Sequence, residues 1–391
     1  MVDPIAFRAT LDRLYELNWE LFPCGYSEGY TLHNIRSPKK YNGLIIRRIK
    51  LKNGEVYSII PSDYMPYFTG KTDDVSKGLL LRHYAVPYAV IACVLGRDAS
   101  YWEGIECQLG QMSIVGSLCK TGIPKDLAAD EKISFWNGQE CYIAMTASKE
   151  CILGAELSMS EHTEGLQAAY GVFRSEARDI DENYEASSIN LDGWKATNAA
   201  WRNLFPSITI IACFLHGFLK IRDIGKQLKT QFHEVCTKIW DAYRQETALE
   251  FRAALVDLKE WANQNIVDNQ RVVIKINDLC DKSARYEVAY EQPQAYRTSN
   301  QIDRPMNHLD RYLYQTRYFS GHRKNANLKI RAWAMIYNFM PFTQRTLSGK
   351  TNDHPKSRFE QLNGFVYHYH WLHNLLIASS QNGFYANHKK S

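Results

Sequence analysis

Three aspartates and one Cys-x-x-His pair are the residues best placed to do chemistry. Asp130 stands inside the strand-like run "LAADEKISF", Asp192 ends "SSINLD" just before Gly193, and Asp303 follows "RTSNQI". A carboxylate on the covered side of a strand is costly unless it is paired or bound to a cation. Three converging carboxylates repel one another, and a divalent cation relieves that repulsion. Magnesium takes few carboxylates and completes its shell with waters and phosphate oxygens. Two such ions at a phosphodiester activate a water or a 3′-hydroxyl and stabilise the leaving oxygen. Cys213-Phe214-Leu215-His216 comes after the second acid. It lacks partners at zinc spacings, so Cys213 is expected in the core and His216 against a carboxylate or a phosphate.

Each acid also has an ordinary reading. Only one of Asp130 and Glu131 points inward on an alternating strand. Asp192 could cap the next helix or make an Asp-Gly turn. Asp303 could cap a helix that begins at Arg304-Pro305. Asp310 and Glu291 compete with Asp303 for the third place. Thr298 and Gln301 have the spacing of a capping box, while Pro305 predicts a kink or a helix start near residue 302. His368, His370 and His373 in "HYHWLH" invite a metal reading, against which aromatic and histidine packing is the commoner outcome.

The elements that must position these residues follow from periodicity. From residue 126 the order is strand, strand, strand, helix, strand, helix, strand, with Asn137-Gly138 as a hairpin turn. "EHTEGLQAAYGVFRSEAR" places Leu166, Ala169, Tyr170, Phe173 and Ala177 on one helical face. Residues 218–296 are mostly helical by pattern, and helices return over residues 297–391. The fold class is α/β: a mixed sheet covered on both faces, with an all-helical segment inside it.

Upstream, residues 1–73 read as a short helix and a β-rich region with a turn at Asn53-Gly54. Between Arg36 and Lys52 stand seven basic residues and no acid: Arg36, Lys39, Lys40, Arg47, Arg48, Lys50 and Lys52. That stretch points to a polyanion, with a solvated hairpin face as the alternative. Residues 74–120 read as three short helices of helix-turn-helix spacing. The third is the expected recognition helix over Ser100–Leu109, with Arg97, Ser100 and Tyr101 as DNA contacts and Asp98 or Ser100 as its cap. An ordinary helical bundle is the alternative, and Glu103 and Glu106 are poor phosphate ligands.

Composition narrows the classes. The chain has 391 residues, a net charge of +5 and nine cysteines with no CxxC, which predicts buried, reduced thiols. No apolar run is long enough for a membrane span, and "MVDPIAFRATLDRLYEL" is polar and patterned, so a cytoplasmic protein is expected.

The segment from about Leu127 to Phe342 resembles the RNase H-like catalytic domain of DDE transposases, and most of all the Mutator-like branch of bacterial insertion sequences. The resemblance rests on Cys213-x-x-His216 after the second acid, a helical insertion before the third, "RTSNQID" leading into that acid, and the tail "QLNGFVYHYHWLHNLL". It implies that Asp130, Asp192 and Asp303 are a catalytic and metal-binding triad for two magnesium or manganese ions, supported by Cys213 and His216. It implies binding of terminal repeats in double-stranded DNA, strand cleavage, 3′-hydroxyl transfer into target DNA, a homodimer or higher oligomer on DNA, and a bacterial, nucleoid-associated location. The family usually has Glu as its third acid; here it is Asp. A catalytically inactive DNA-binding derivative and an RNase H-like nuclease or resolvase are the alternatives.

Overall fold

The computed structural model describes residues 2–39, 43–65, 70–228, 230–267 and 269–380. Lys40 lies outside the described residues. The chain forms two compact units, Met1–Ile123 with Tyr312–Arg317 and His322–Ser391, and Pro124–Arg311 with Tyr318–Gly321.

The first unit begins with α1 (Pro4–Leu17), started by Asp3, whose carboxylate accepts from Ile5 N and Ala6 N. Strands β1 (Tyr30–Arg36), β2 (Ile46–Leu51) and β3 (Val56–Ile59) form an antiparallel sheet in that order. The Asn53-Gly54 turn joins β2 to β3, with Gly54 at φ 93°. Phe7 and Leu11 of α1 share a core with Tyr26, Ile49 and Leu51. Three helices follow as expected: α2 (Thr72–His83), α3 (Tyr88–Leu95) and α4 (Ala99–Leu109), then the short α5 (Ile114–Leu118). Asp98 caps α4 by accepting from Tyr101 N at 2.7 Å.

The second unit carries a five-stranded mixed sheet. Its strands are β4 (Asp126–Trp136), β5 (Gln139–Ser148), β6 (Cys151–Ser158), β7 (Ser188–Leu191) and β8 (Thr209–Ala212), in the spatial order β6-β5-β4-β7-β8. The first three pair antiparallel, and β7 and β8 add in parallel to β4. Helices α6 (Thr163–Arg178) and α7 (Lys195–Leu204) are the crossovers. The five α6 residues expected on one face are all buried. Pro206 follows α7 and ends it.

Five helices come next: α8 (Phe214–Gly225), α9 (Thr230–Tyr243), α10 (Ala248–Asn265), α11 (Gln270–Asp281) and α12 (Ala284–Glu287). They share one apolar core that includes Phe214, Phe218, Ile239, Phe251, Leu255, Val272 and Ile276. The helical run therefore starts at residue 214 rather than 218, directly off β8. Helix α13 (Asn300–Thr316) runs through Pro305 and starts two residues before the expected residue 302. The remaining helices are α14 (Arg323–Phe339), α15 (Gln344–Leu347), α16 (Arg358–Asn363) and α17 (Trp371–Ser379). No helix among the described residues is long and apolar enough to cross a membrane. All nine cysteines are free, but Cys24 and Cys93 are exposed, so the expectation of buried thiols holds only in part.

Candidate active site

The parallel pairing of β4 with β7 sets the first two acids side by side. Its last matched pair is Ala128 with Asn190. Two residues further along each strand stand Asp130 and Asp192, on the same face of the pleat as that pair. Asp192 lies just beyond β7, at the opening of the Asp-Gly turn, with Gly193 at φ 97°. Its Oδ1 accepts from Trp194 N at 2.8 Å. The turn reading of Asp192 is thus correct for one carboxylate oxygen, and the side chain remains exposed.

The third acid reaches this face through a chain of polar contacts. The Asn190 amide donates to Tyr296 O at 2.9 Å. Phe214 N donates to Arg297 O at 3.2 Å. Ser299 N donates to the Cys213 sulfur at 3.2 Å, and the thiol stands 3.2 Å from Ser299 Oγ. The Ser299 hydroxyl in turn donates to Asp303 Oδ2 at 3.0 Å. Cys213 therefore anchors the start of α13, a role its buried position alone does not reveal. Seven residues along the same helical face, Asp310 pairs with Lys132 at 2.6 Å. Lys132 shares the face of β4 that carries Asp130. Asp310 is paired and Glu291 is exposed, while the charge of Asp303 acts on Asp130. The Thr298–Gln301 capping box does not describe this helix start: Gln301 Oε1 accepts from Glu150 N at 2.7 Å.

The electrostatics of the cluster are those of a site short of positive charge. Burial pushes the Asp130 carboxyl up to about 6; the charges of Asp192 and Asp303 add to the rise, while His216 and the Glu131 amide oppose it. Asp303 is also raised by burial, against its bond from Ser299 and the pull of His216. His216 is raised to about 9, first by the adjacent Cys213 sulfur and then by Asp130 and Asp192, against burial. Its Nδ1 is buried without a hydrogen-bond partner. Among the described residues no lysine or arginine forms an ion pair with any of the three aspartates. The donor set, all carboxylate oxygen with one imidazole nearby, suits a hard divalent cation. Among the described residues no three such side chains are closed into a ready-made metal cage.

Glu131 corrects the expectation that only one of two neighbouring acids faces inward. It points to the opposite face of β4, which α6 and α7 cover, and accepts from Tyr170 at 2.7 Å and Thr197 at 2.6 Å. Burial raises it to about 7, against those two bonds. A sheet covered on both faces has no solvent side for the second acid, and that was the signal available.

The cleft at Asp192 is lined by Asp192, Gly193, Cys213 and His216, by the cations Lys220, Lys275, Lys282 and Arg285, and by Asp278. These four cations drew no attention in the sequence because they are scattered over α8, α11 and α12.

The expected DNA contacts of the first unit fare unevenly. Arg36, Lys39, Lys50 and Lys52 are exposed, and Arg48 bonds Asn34 at 2.7 Å. Arg47 is only 6% exposed; it donates to Val2 O at 2.7 Å and lies over the Phe7 ring. It is therefore a packing residue, not a phosphate ligand. Helix α4 does not offer a reading face: from Tyr101 to Leu109 no residue is exposed, and Trp102, Ile105, Glu106 and Leu109 are buried. Helix α14 closes on its end, where a Cβ on Gly110 would meet Leu328 O at 2.0 Å. Arg97 and Ser100 remain exposed at its start, with Arg97 over the Tyr101 ring. His368 and His370 precede α17, and the three rings pack at 4.5–6.5 Å. Burial lowers all three, His373 to about 4.

No protein-family model matches the chain, and no curated protein matches it.

Proposed function

We propose that the second unit is a metal-dependent phosphodiester-cleaving and strand-transferring domain of the DDE transposase kind, acting on double-stranded DNA. The observation that carries this reading is the meeting of Asp130 and Asp192 on adjacent parallel strands with Asp303 from α13, around His216 and without a lysine or arginine partner. The strand order β6-β5-β4-β7-β8 supports an RNase H-like sheet, with α8–α12 as its helical insertion. Asp130, Asp192 and Asp303 would hold magnesium or manganese. Bound there, two such ions supply an activated water or 3′-hydroxyl and offset charge on the leaving oxygen.

The chain's own side chains prepare that site. Cys213 and Ser299 orient Asp303, and Asn190 ties its approach segment to the sheet. His216 keeps a proton beside the carboxylates at neutral pH, which limits their mutual repulsion before cations enter. Repeat-containing duplex with magnesium should be nicked by the wild type. Asp192→Asn should reduce nicking to background while binding to the same duplex persists. Undiminished nicking by that variant excludes the assignment; binding by the wild type with no nicking under any divalent ion favours a DNA-binding derivative.

A further inference from the structure

We infer that Lys220, Lys275, Lys282 and Arg285 form a track for the phosphodiester backbone of the DNA strand that enters the carboxylate cluster. The inference rests on the reading above for the identity of the polyanion, and on the cleft for its place.

The four cations share one concave surface with Asp192 and His216. All four are exposed. Lys282 is paired with Asp278 at 2.7 Å, whereas Lys220, Lys275 and Arg285 have no ion-pair partner among the described residues. Among the described residues Asp278 is the only acid lining the cleft besides Asp192, and the bond from Lys282, with the charges of Lys275 and Lys220, holds its pKa low. Against Asp278 and Asp192, the four cations leave the cleft with a net surplus of positive charge. A surface that needed only to be soluble would pair these groups or scatter them among acids.

Helix geometry gives the surplus a direction. Lys275 and Lys282 are seven residues apart along α11 and its end, about 10 Å of helix rise. A DNA strand advances about 3.4 Å per nucleotide along the duplex axis, so this separation spans roughly three phosphates. Arg285 adds a cation from α12 and Lys220 one from α8 to the same cleft. Gly217 permits the close approach of α8 to these helices: a Cβ there would meet Leu279 Cδ1 at 2.6 Å and Tyr286 OH at 3.1 Å. Asp192 lines the same cleft, so a strand lying along the row presents a phosphodiester to its carboxylate. Compact anions such as free phosphate could occupy one lysine, but they have no use for a row of this length.

The test is the salt dependence of binding by the full chain to a fluorescein-labelled random-sequence duplex, in EDTA so that cleavage does not intervene. Lys220→Ala/Lys275→Ala/Arg285→Ala should lower the slope of log affinity against log salt by roughly 2.7, about 0.9 for each lost phosphate contact. Lys226→Ala/Arg271→Ala, exposed cations of the same helical region outside the cleft, should leave the slope within experimental error of wild type. Circular dichroism checks that each variant is folded. An unchanged slope in the triple variant overturns the track, as does an equal fall in the control. A thermal shift with inorganic phosphate that the triple variant abolishes, together with an unchanged DNA slope, assigns the cations to a small anion instead. Nicking is scored separately: a lowered slope without wild-type nicking keeps the track and removes the catalytic reading, and nicking with an unchanged slope does the reverse.

Discussion

Glu106, buried in the first unit, and Asp130, half-buried in the second, meet desolvation in opposite ways. Glu106 is 1% exposed and fully provided for. Arg82 Nε stands 3.3 Å from its Oε2, the Tyr88 hydroxyl bonds the same oxygen, and the Tyr312 hydroxyl lies 3.4 Å from Oε1. The guanidinium is itself held by Tyr312 at 3.1 Å and lies over the rings of Tyr88 and Tyr312. Asp130 has one backbone amide, from Glu131 at 2.9 Å, with two further carboxylates and His216 as charged neighbours. On the proposed reading, a bound cation would complete the second charge network, which the chain itself leaves incomplete. That contrast, more than burial itself, separates a structural acid from a site acid.

The largest effect should come from breaking the completed network. Arg82→Met leaves the Glu106 charge buried without its cation, and urea unfolding should show a loss of about 3–5 kcal/mol. Metal-dependent nicking by the folded fraction should be unchanged. A loss under about 1 kcal/mol, the usual worth of a surface pair, would erase the contrast.

Asp130 should show the opposite sign. Its folded pKa of about 6 lies above the ordinary 3.8. Between those values the folded state holds the proton more tightly than the unfolded chain, so stability falls as pH rises through this window. In metal-free protein the fall attributable to this group is up to roughly 3 kcal/mol. Thermal unfolding from pH 4 to 7 should show a steeper fall in the wild type than in Asp130→Asn, where Glu131 still titrates, and magnesium should restore stability above pH 6 in the wild type alone. A metal-free profile that rises over this range would count against the uncompensated cluster.

His216 is the one cation among the acids, and its removal should be milder. His216→Ala should slow nicking by about 10–100-fold, the usual range for a group that supports metal ligands, with little change in the magnesium requirement. A large increase in that requirement would make His216 a ligand. Its folded pKa of about 9 is above the ordinary 6.5. The stability it contributes is therefore complete below pH 6.5 and is lost as pH rises through 9, so the wild type and His216→Ala should converge in alkaline solution.

The arrangement behind these predictions was partly legible in the sequence. Strand alternation and the 3.6-residue period placed all five sheet strands, α6 and α7 within a few residues, because each has a covered apolar face. Asp192 was legible from its place between a strand and a turn. Arg47 could have been excluded by the same alternation: in "RRIKL" it shares a face with Ile49 and Leu51, both of which are buried. The enclosure of α4 was not legible, since its cover, α14, lies more than 200 residues later in the chain. The Cys213–Ser299–Asp303 chain and the cation row were hidden for the same reason. Each joins residues from separate elements, and one-dimensional periodicity carries no record of which elements meet.

The smallest effect is expected at Glu131, the immediate neighbour of Asp130, and it tests whether facing the other side of β4 is enough to separate their roles. Both hydroxyl donors, Tyr170 and Thr197, bond the same carboxylate oxygen, Oε1. A glutamine in its place can keep both bonds through its single carbonyl oxygen, with the amide group where Oε2 stood. The wild-type carboxyl, raised to about 7 from 4.5, loses stability as pH rises from 4.5 through 7. Glu131→Gln has no such titration and should be the more stable protein at pH 8. The new amide needs a partner that this pocket was not built to provide, which offsets most of the gain. The net difference should be on the order of 1 kcal/mol at pH 8 and should shrink or reverse at pH 5. Nicking should stay within a few-fold of wild type, because Glu131 belongs to the α6 and α7 side of the sheet. A loss of nicking comparable to that of Asp192→Asn, in a protein of unchanged stability, would place Glu131 among the acids of the site and end its kinship with Glu106.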